Sequence, residues 1–362
     1  MQEQVNGPTS AIPWSVRGVL AAVTLALVWA PVGVSAHEKW FTDPRAYPVR
    51  PELFLSLPVG LALGAAVLAL GALLLVRRLV GDPQWPNPEW LRPVQAATQA
   101  VIGIQTAISL IFMAVQGWLF SPALPLPDGV AGILLAAVVI AVSLSFVTGW
   151  FTRLGGAVLV GLVVLTFVIY PLGYALEQFL FAGIGVYFLI LGRGLFYPTW
   201  APMARLAAFW QPYRTLALPA ARIGTGLSIL VLAFTEKLLN PGLALAFLQT
   251  HPAFNFMHQL GLTWFTDELF VVAAGIVETT IGVLLIAGVL PRLVILLMWV
   301  PFNIAIPLLP PVELLGHLPI LAVMYTVFLY DPGAEGSTQT TARAAATSIP
   351  RPDRGAPAGQ VT

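Results

Sequence analysis

Long apolar runs alternate with short polar or proline-rich connections along the chain. Apolar windows of about 20 residues recur up to ten times, and each is long enough to cross the hydrocarbon core of a bilayer as a helix. The two clearest windows, 129–152 and 154–176, contain no ionisable residue. The pattern predicts helices over residues 17–35, 54–76, 96–117, 129–149, 155–175, 178–197, 219–239, 268–290, 293–309 and 313–330.

Composition supports a membrane protein and excludes several other classes. Of the 362 residues, 58% are hydrophobic and only 9% are charged. A soluble domain carries roughly 25% charged residues, so this chain has too few for a water-exposed surface. The net charge of +1 indicates no polyanionic partner, and nucleic-acid binding is excluded. The chain has no cysteine, so it has no intrinsic thiol redox residue.

Basic residues fix the predicted orientation. Thirteen of the 17 fall on one face, which the positive-inside rule makes cytoplasmic, and only Lys39, Arg45, Arg50 and Lys237 fall on the other. The C-terminus is then cytoplasmic, in a bacterial-type inner membrane. Residues 1–36 resemble either a signal peptide cleaved after Ala36 or an uncleaved first helix, which leaves nine or ten spans.

Two four-helix units with similar sequences follow each other. Residues 148–154 align with 287–293, and Glu177 aligns with Glu313, at offsets of 139 and 136 residues. An even number of helices per unit predicts parallel copies. The first unit has few ionisable residues inside its helices, so we expect it to be mainly scaffold. The predicted organisation is a signal peptide or first helix (1–36), an outer segment with a helix and a cytoplasmic loop (37–95), a degenerate first bundle (96–198), a cytoplasmic linker (199–218), a second bundle (219–331) and a disordered cytoplasmic tail (332–362).

Glu278 is the most informative candidate for a functional site. It lies about ten residues into its predicted span, roughly 15 Å deep at 1.5 Å per residue. A carboxylate at that depth is costly unless it is protonated, paired or hydrated, and such residues are functional candidates by default. The alternative is a neutral glutamic acid that joins helices by hydrogen bonds, with Gly275 and Gly282 allowing close packing.

Further polar residues lie near the predicted outer ends of the second unit. Glu313 and His317 are four residues apart and share a helix face, which suits proton relay, metal ligation or head-group binding, or else a helix-start cap. Glu236 and Lys237 close the seventh helix. Lys237 is expected to extend to the outer interface, whereas Glu236 points toward the bundle. Asn303 lies between two prolines in a kinked helix and is a candidate partner for Glu278.

Cleavage after Ala36 would make His37 the mature N-terminus. Its amine and ring nitrogen are suitable copper ligands, so His37 is a candidate metal ligand on that condition.

The second unit also carries a family resemblance. Arg222 opens a helix, Glu-Lys-Leu-Leu-Asn-Pro at 236–241 closes it, and Glu278 precedes Gly-Val-Leu-Leu-Ile-Ala-Gly at 282–288. Arg292, Asn303 and Glu-Leu-Leu-Gly-His-Leu-Pro at 313–319 complete the pattern. In this order and spacing, residues 222–330 resemble the DoxX-like family of membrane proteins, and the first unit resembles it more weakly. The resemblance implies a four-helix bundle, and the family name derives from a thiosulfate:quinone oxidoreductase subunit, so quinone is the cofactor it suggests.

The sequence therefore predicts an all-α polytopic membrane protein of two tandem four-helix DoxX-like bundles. The leading hypothesis is a binding or accessory role for a membrane-embedded ligand, quinone or lipid, with a redox subunit as the candidate partner. A proton-coupled transporter that uses Glu278 and a metal-handling protein that uses His37 are the alternatives. Whether the chain is itself an enzyme stays open at this point.

Overall fold

The computed structural model describes residues 38–80, 89–192, 201–305 and 311–330. These residues form helices joined by turns, and within the described ranges no β-strand occurs. Residues 1–37 and 331–362 lie outside the described residues, together with the predicted signal peptide, His37 and the predicted tail. The α-helices are α1 (Glu38–Phe41), α2 (Leu57–Val80), α3 (Arg92–Val115), α4 (Val130–Thr148), α5 (Thr152–Ile169), α6 (Leu172–Leu176), α7 (Phe179–Leu191), α8 (Ala201–Trp210), α9 (Arg214–Leu232), α10 (Pro241–Thr250), α11 (Phe256–Gln259), α12 (Asp267–Ala287), α13 (Pro291–Ala305) and α14 (Pro311–Leu329).

Seven helical segments within the described residues are long and apolar enough to cross a membrane. They confirm an α-helical multi-pass membrane protein that resides in a lipid bilayer. Within the described residues, α13 covers 15 residues and the apolar stretch Leu314–Leu329 of α14 covers 16, and neither is counted among the seven. The predicted linker 199–218 contains α8 and the start of α9 and is therefore largely helical.

The helices pack as two groups that contact each other reciprocally. Helices α3, α4, α5 and α7 pack in succession, and so do α9, α12, α13 and α14. Between the groups, α7 packs against α9 and α14 packs against α3, so the last helix of each group contacts the first helix of the other. One continuous apolar core extends through both groups and includes Phe146, Phe188, Met298 and Met324.

Serine side chains join the two groups in the same reciprocal way. Ser109 on α3 donates a hydrogen bond to the backbone carbonyl of Leu315 near the start of α14. Ser228 on α9 donates to the backbone carbonyl of Glu177 just before α7. Both hydroxyls are buried. Pro319 has no N–H to donate to the Leu315 carbonyl, and Glu177 caps the C-terminus of α6, so each carbonyl lacks its usual helical donor and the serine supplies one.

The α4–α5 turn and the α12–α13 turn have the same backbone geometry. Gly149 and Gly288 adopt left-handed conformations, with φ of 81° and 67°. Two residues later, Phe151 and Leu290 have φ of 51° and 47°, and they are the two non-glycine residues with positive φ in the described part of the chain. Left-handed glycine ends a helix without the steric cost of a Cβ.

The arginine after each turn caps another helix. Arg153 donates to the carbonyls of Ile190 and Leu191 at the end of α7, at 3.1 and 2.9 Å. Arg292 donates to the carbonyl of Tyr330 at the end of α14. A cation at a helix C-terminus is favourable because the last carbonyls lack intrahelical partners.

Close helix contacts depend on glycine, and one pair gives a test. A Cβ on Gly156 of α5 would lie 2.5 Å from the carbonyl oxygen of Gly185 on α7, whereas a Cβ on Gly161 would meet nothing within 4 Å. We expect Gly156→Ala to destabilise the fold by about 1–3 kcal/mol through overpacking. Gly161→Ala, on the same helix, is the control and is expected to be neutral or slightly stabilising because alanine favours helix. Thermal unfolding in detergent micelles measures both, and equal midpoints would contradict the packing argument.

Candidate functional site

Two Glu-Lys dipeptides, far apart in the chain, pair with each other reciprocally. Glu38 and Lys39 lie on α1, and Glu236 and Lys237 lie on a π-helical turn, Ala233–Leu238, that continues α9. Lys237 Nζ lies 3.0 Å from Glu38 Oε1, and Lys39 Nζ lies 3.6 Å from Glu236 Oε1. We call this arrangement the reciprocal clasp, and it holds α1 against the end of α9.

Each lysine of the clasp has one further carboxylate partner. Lys39 forms a buried ion pair with Glu177, which lies between α6 and α7. Lys237 Nζ lies 3.2 Å from Glu278 Oε1 on α12. Four carboxyl groups and two ammonium groups therefore meet, which gives a formal charge of −4 + 2 = −2 if all are ionised. These six residues form the charged cluster.

Thr235 links two members of the charged cluster. Its hydroxyl donates to Glu177 Oε1 at 2.8 Å and accepts from Lys39 Nζ at 3.1 Å. The hydroxyl therefore orients the ion pair that holds Lys39. The π-helical turn supplies three consecutive polar side chains here, and such turns occur frequently at functional sites.

Because most of the cluster is buried, its ion pairs have a large effect on stability. The side chains of Lys39, Glu177 and Glu236 are 4%, 6% and 1% exposed, whereas that of Glu278 is 33% exposed. An ion taken out of water costs several kcal/mol unless a partner compensates it. Burial lowers the pKa of Lys39, but the Glu177 and Glu236 carboxylates raise it by more, so its pKa lies above the usual value and Lys39 stays protonated at neutral pH.

A partly open cavity of about 60 Å³ lies beside the cluster. By the same measure one water needs roughly 10–15 Å³, so several water-sized groups fit. The polar part of the lining includes Lys39, Glu177, Glu236 and Ser228, and the rest is mostly apolar. Both helix groups contribute to the lining: Lys39, Met113, Phe120, Ser121, Ala123, Glu177, Gln178, Leu180, Phe181, Ser228, Leu232, Glu236, Gly316 and Ile320.

Two details of the lining matter for binding. The hydroxyl of Ser121 is buried and has no hydrogen-bond partner among the described residues, so it is available to a ligand. The rings of Phe120 and Phe181 stack on each other with centroids 4.8 Å apart, and both residues line the cavity. The cavity therefore offers both hydrogen-bonding groups and an aromatic surface.

Three of the predicted candidates meet in the cluster, namely Glu278, Glu236 and Lys237. Lys237, which the sequence predicts to extend to the outer interface, is paired with Glu38 and Glu278, and its side chain is 13% exposed. His317 is half-buried on α14, next to the cavity-lining Gly316. Asn303 and Glu313 lie on α13 and α14, but their side chains are outside the described residues, as is all of His37.

Sequence reasoning missed Glu38, Lys39 and Glu177 as members of a site. Glu177 belongs to the first unit, so the expectation that this unit is mainly scaffold does not hold for it. A signal was nevertheless present. Lys39 and Lys237 are the only lysines in a chain with 15 arginines, and each directly follows a glutamate.

Two asparagines fix the connection after α9. Asn240 caps α10 and donates through Nδ2 to the carbonyl of Tyr47 at 2.7 Å. Farther along, the buried Asn255 donates to Asp267 Oδ1 at 2.8 Å and to the carbonyl of Phe265 at 3.1 Å. The connection is thus tied both to the segment before α2 and to the start of α12.

No group of three or more potential metal ligands occurs among the residues that the structure describes. Comparisons of the chain with protein-family models, with curated proteins and with solved structures find no significant match.

Replacing Lys39 tests how much the charged cluster contributes to the free energy of unfolding. Lys39→Met leaves Glu177 and Glu236 buried without their shared cation, so we expect a loss of about 3–5 kcal/mol in unfolding free energy. Glu177→Gln in the same chain is expected to recover part of this loss, because it removes one of the uncompensated charges. Arg45→Met, an exposed cation in the same segment, is expected to change stability by less than about 0.5 kcal/mol.

Unfolding in detergent micelles compares the parent chain, Lys39→Met, the Lys39→Met/Glu177→Gln double variant and the Arg45→Met control. If Lys39→Met were no more destabilising than Arg45→Met, the ion pairs would contribute nothing to stability.

Proposed function

We propose that this chain is a DoxX-like membrane protein that binds the polar head of a membrane-embedded ligand, a quinone or a lipid, in the cavity beside the charged cluster. The observation that carries the proposal is the cavity's mixed lining. Its charged and hydroxyl-bearing side chains suit a polar head group, and its apolar side chains suit a ring or a chain. Sites of this kind, mostly apolar with a few convergent polar groups, are typical of small-molecule binding.

A quinone head fits the donors that the cavity presents. Quinone oxygens accept hydrogen bonds, and the Lys39 ammonium and the Ser121 hydroxyl are donors that line the cavity. The paired rings of Phe120 and Phe181 provide a surface on which a quinone ring can stack. A quinone bound there would supply two-electron redox chemistry. The chain would then act as an accessory subunit beside a redox partner.

The proposed topology places the cluster in the outer half of a bacterial inner membrane, with nine or ten spans and a cytoplasmic C-terminus. The distribution of basic residues supports this orientation. Residues 1–36 are proposed to be a signal peptide or a first span.

We also propose that the two helix groups are tandem copies of one four-helix unit. Phe151 and Leu290 are 139 residues apart, the offset of the sequence alignment, and share an uncommon backbone conformation. The arginine caps of α7 and α14 and the crossed serine bonds of Ser109 and Ser228 are further support. The cavity lies where α3, α7, α9 and α14 meet, which is the junction between the copies.

Native mass spectrometry of the gently extracted chain tests ligand binding. We expect a co-purified quinone or lipid in the parent protein and at least a roughly tenfold lower occupancy in Leu232→Trp, because the larger ring fills the cavity and the loss of its contacts exceeds about 1.4 kcal/mol. Leu61→Trp is the matched control, since Leu61 on α2 is 50% exposed and away from the lining.

Equal occupancy in the two tryptophan variants would place the ligand elsewhere. A parent protein without any bound quinone or lipid would contradict the proposal itself.

A proton-coupled transporter is the second candidate, and the position of Glu278 favours it. Glu278 is the twelfth residue of α12 and contacts Lys237, in a cluster with two more carboxyl groups than ammonium groups. Such intramembrane carboxyl groups mark proton pathways in many carriers. The excess of carboxyl groups gives the cluster the capacity to take up protons.

Proton flux in liposomes tests this candidate. Substrate-dependent flux is expected to fall at least about tenfold in Glu278→Gln, because the amide cannot exchange a proton. Glu268→Gln lies in the first turn of the same helix and is the control that keeps the flux. Flat traces with every solute offered would exclude proton coupling.

A further inference from the structure

One helical segment of the described chain is longer than a membrane span requires. It runs from Arg205 to Leu238, has 34 residues, and includes most of α8, all of α9 and the π-helical turn. At 1.5 Å per residue its path is about 50 Å long, whereas the hydrocarbon core of a bilayer is about 30 Å thick. One end of the segment therefore lies outside the hydrocarbon core or along its surface.

Exposed charge identifies which end this is. The Leu238 end carries Glu236 and Lys237, whose charges are paired inside the bundle. The other end carries Arg205 and Arg214, and both residues are exposed. An exposed guanidinium group is too costly to face lipid chains, so this end lies at the level of the lipid head groups.

Three aromatic rings lie between the two arginines in the sequence and contact one another. The ring centroids are 5.2 Å apart for Phe209 and Trp210, 5.8 Å for Trp210 and Tyr213, and 6.2 Å for Phe209 and Tyr213. Trp210 packs against the apolar core of the bundle, whereas Phe209 and Tyr213 are 60% and 43% exposed. Aromatic clusters of this kind are typical of the membrane–water interface, where one end of a ring is apolar and the other is wet.

The arginines and the exposed rings form one amphipathic surface. Arg205 and Phe209 are four residues apart on α8 and therefore share a helix face, and Arg214 directly follows Tyr213. We call the set Arg205, Phe209, Tyr213 and Arg214 the α8 surface. It combines two cations with apolar rings, which is the combination that the phosphate and the adjoining apolar part of a phospholipid require.

The charge around the α8 surface selects among phospholipids. Residues 178–235 contain four arginines and no acidic residue. Guanidinium groups bind phosphate through paired hydrogen bonds. A zwitterionic head group also carries an ammonium group, for which this part of the chain offers no carboxylate. A head group with a net negative charge is therefore favoured.

We propose that the α8 surface binds the head group of an anionic phospholipid, in the leaflet farther from the charged cluster. The bound lipid neutralises the two arginines and fixes the level of α8 in the membrane. This site is separate from the cavity of the proposed function, because Arg214 and Glu236 are 22 residues apart along one helical path, or about 33 Å. Lipid binding at the α8 surface and ligand binding in the cavity can therefore succeed or fail independently.

Photocrosslinking from within the α8 surface tests the proposal. The photoreactive amino acid p-benzoylphenylalanine replaces Phe209 in the full-length chain, which is reconstituted in nanodiscs of equal amounts of phosphatidylcholine and phosphatidylglycerol. The same amino acid in place of Leu61, which is 50% exposed on α2, reports the lipid ratio at a purely apolar surface. Mass spectrometry of the adducts gives the ratio of phosphatidylglycerol to phosphatidylcholine at each position.

We expect this ratio to be at least about tenfold higher at position 209 than at position 61, because each arginine near an anionic head group raises the affinity several-fold. Arg205→Gln combined with Arg214→Gln is expected to lower the ratio at position 209 to that at position 61. Arg45→Gln, which removes an exposed cation from the segment before α2, is the matched control that keeps the enrichment.

Equal ratios at the two positions, or an enrichment that persists in the double variant, would overturn the proposal. Adducts with a second copy of the chain in place of lipid would also overturn it, since the α8 surface would then be a protein interface. Salt gives a test that needs no arginine variant. Raising the ionic strength from about 0.05 M to about 0.5 M is expected to lower the enrichment several-fold because exposed charges are screened, and an enrichment independent of salt would contradict the proposal.

Discussion

The pairing of charges in an apolar interior is the constraint on which the rest of this structure depends. Lys39 and Lys237 each lie between two carboxylates, and the buried side chains of Lys39, Glu177 and Glu236 depend on this pairing. An unpaired ion in a low-dielectric environment costs more than a typical core contact contributes. The helix ends that carry the cluster must therefore converge, and the short α1 must be drawn into the bundle to supply one of the two cations.

The apolar packing allows the helix ends that carry the charged cluster to converge. Small residues at the α5–α7 and α9–α12 contacts, such as Gly156 and Gly226, bring backbones close enough for helices to cross near one point. Crossed contacts of α7 with α9 and α14 with α3 then bring four helices together around one small cavity. Because this cavity lies between the two groups, its lining draws on residues that are distant in the chain.

Part of the candidate site could be predicted from the sequence because a charged residue inside an apolar window is costly to bury, and such a residue is visible in the local sequence. Glu278 and Glu236 stand inside apolar windows, so their depth alone identifies them. Glu38 and Lys39 stand in a polar connection, where the same rule predicts solvated side chains. Glu177 lies at the edge of a window in the unit that has few charges. No pattern in the local sequence predicts that Glu38, Lys39 and Glu177 lie close together in the fold.

The sequence by itself determined that the chain is an α-helical membrane protein, since apolar length and scarcity of charge are sufficient for that. It also determined which residues would be costly to bury within a helix. Only the tertiary structure decided which of them meet, because ion pairs such as Lys39–Glu177 join residues 138 positions apart. Electrostatic energy depends on distance in space and on local burial, and neither quantity is fixed until the helices have packed.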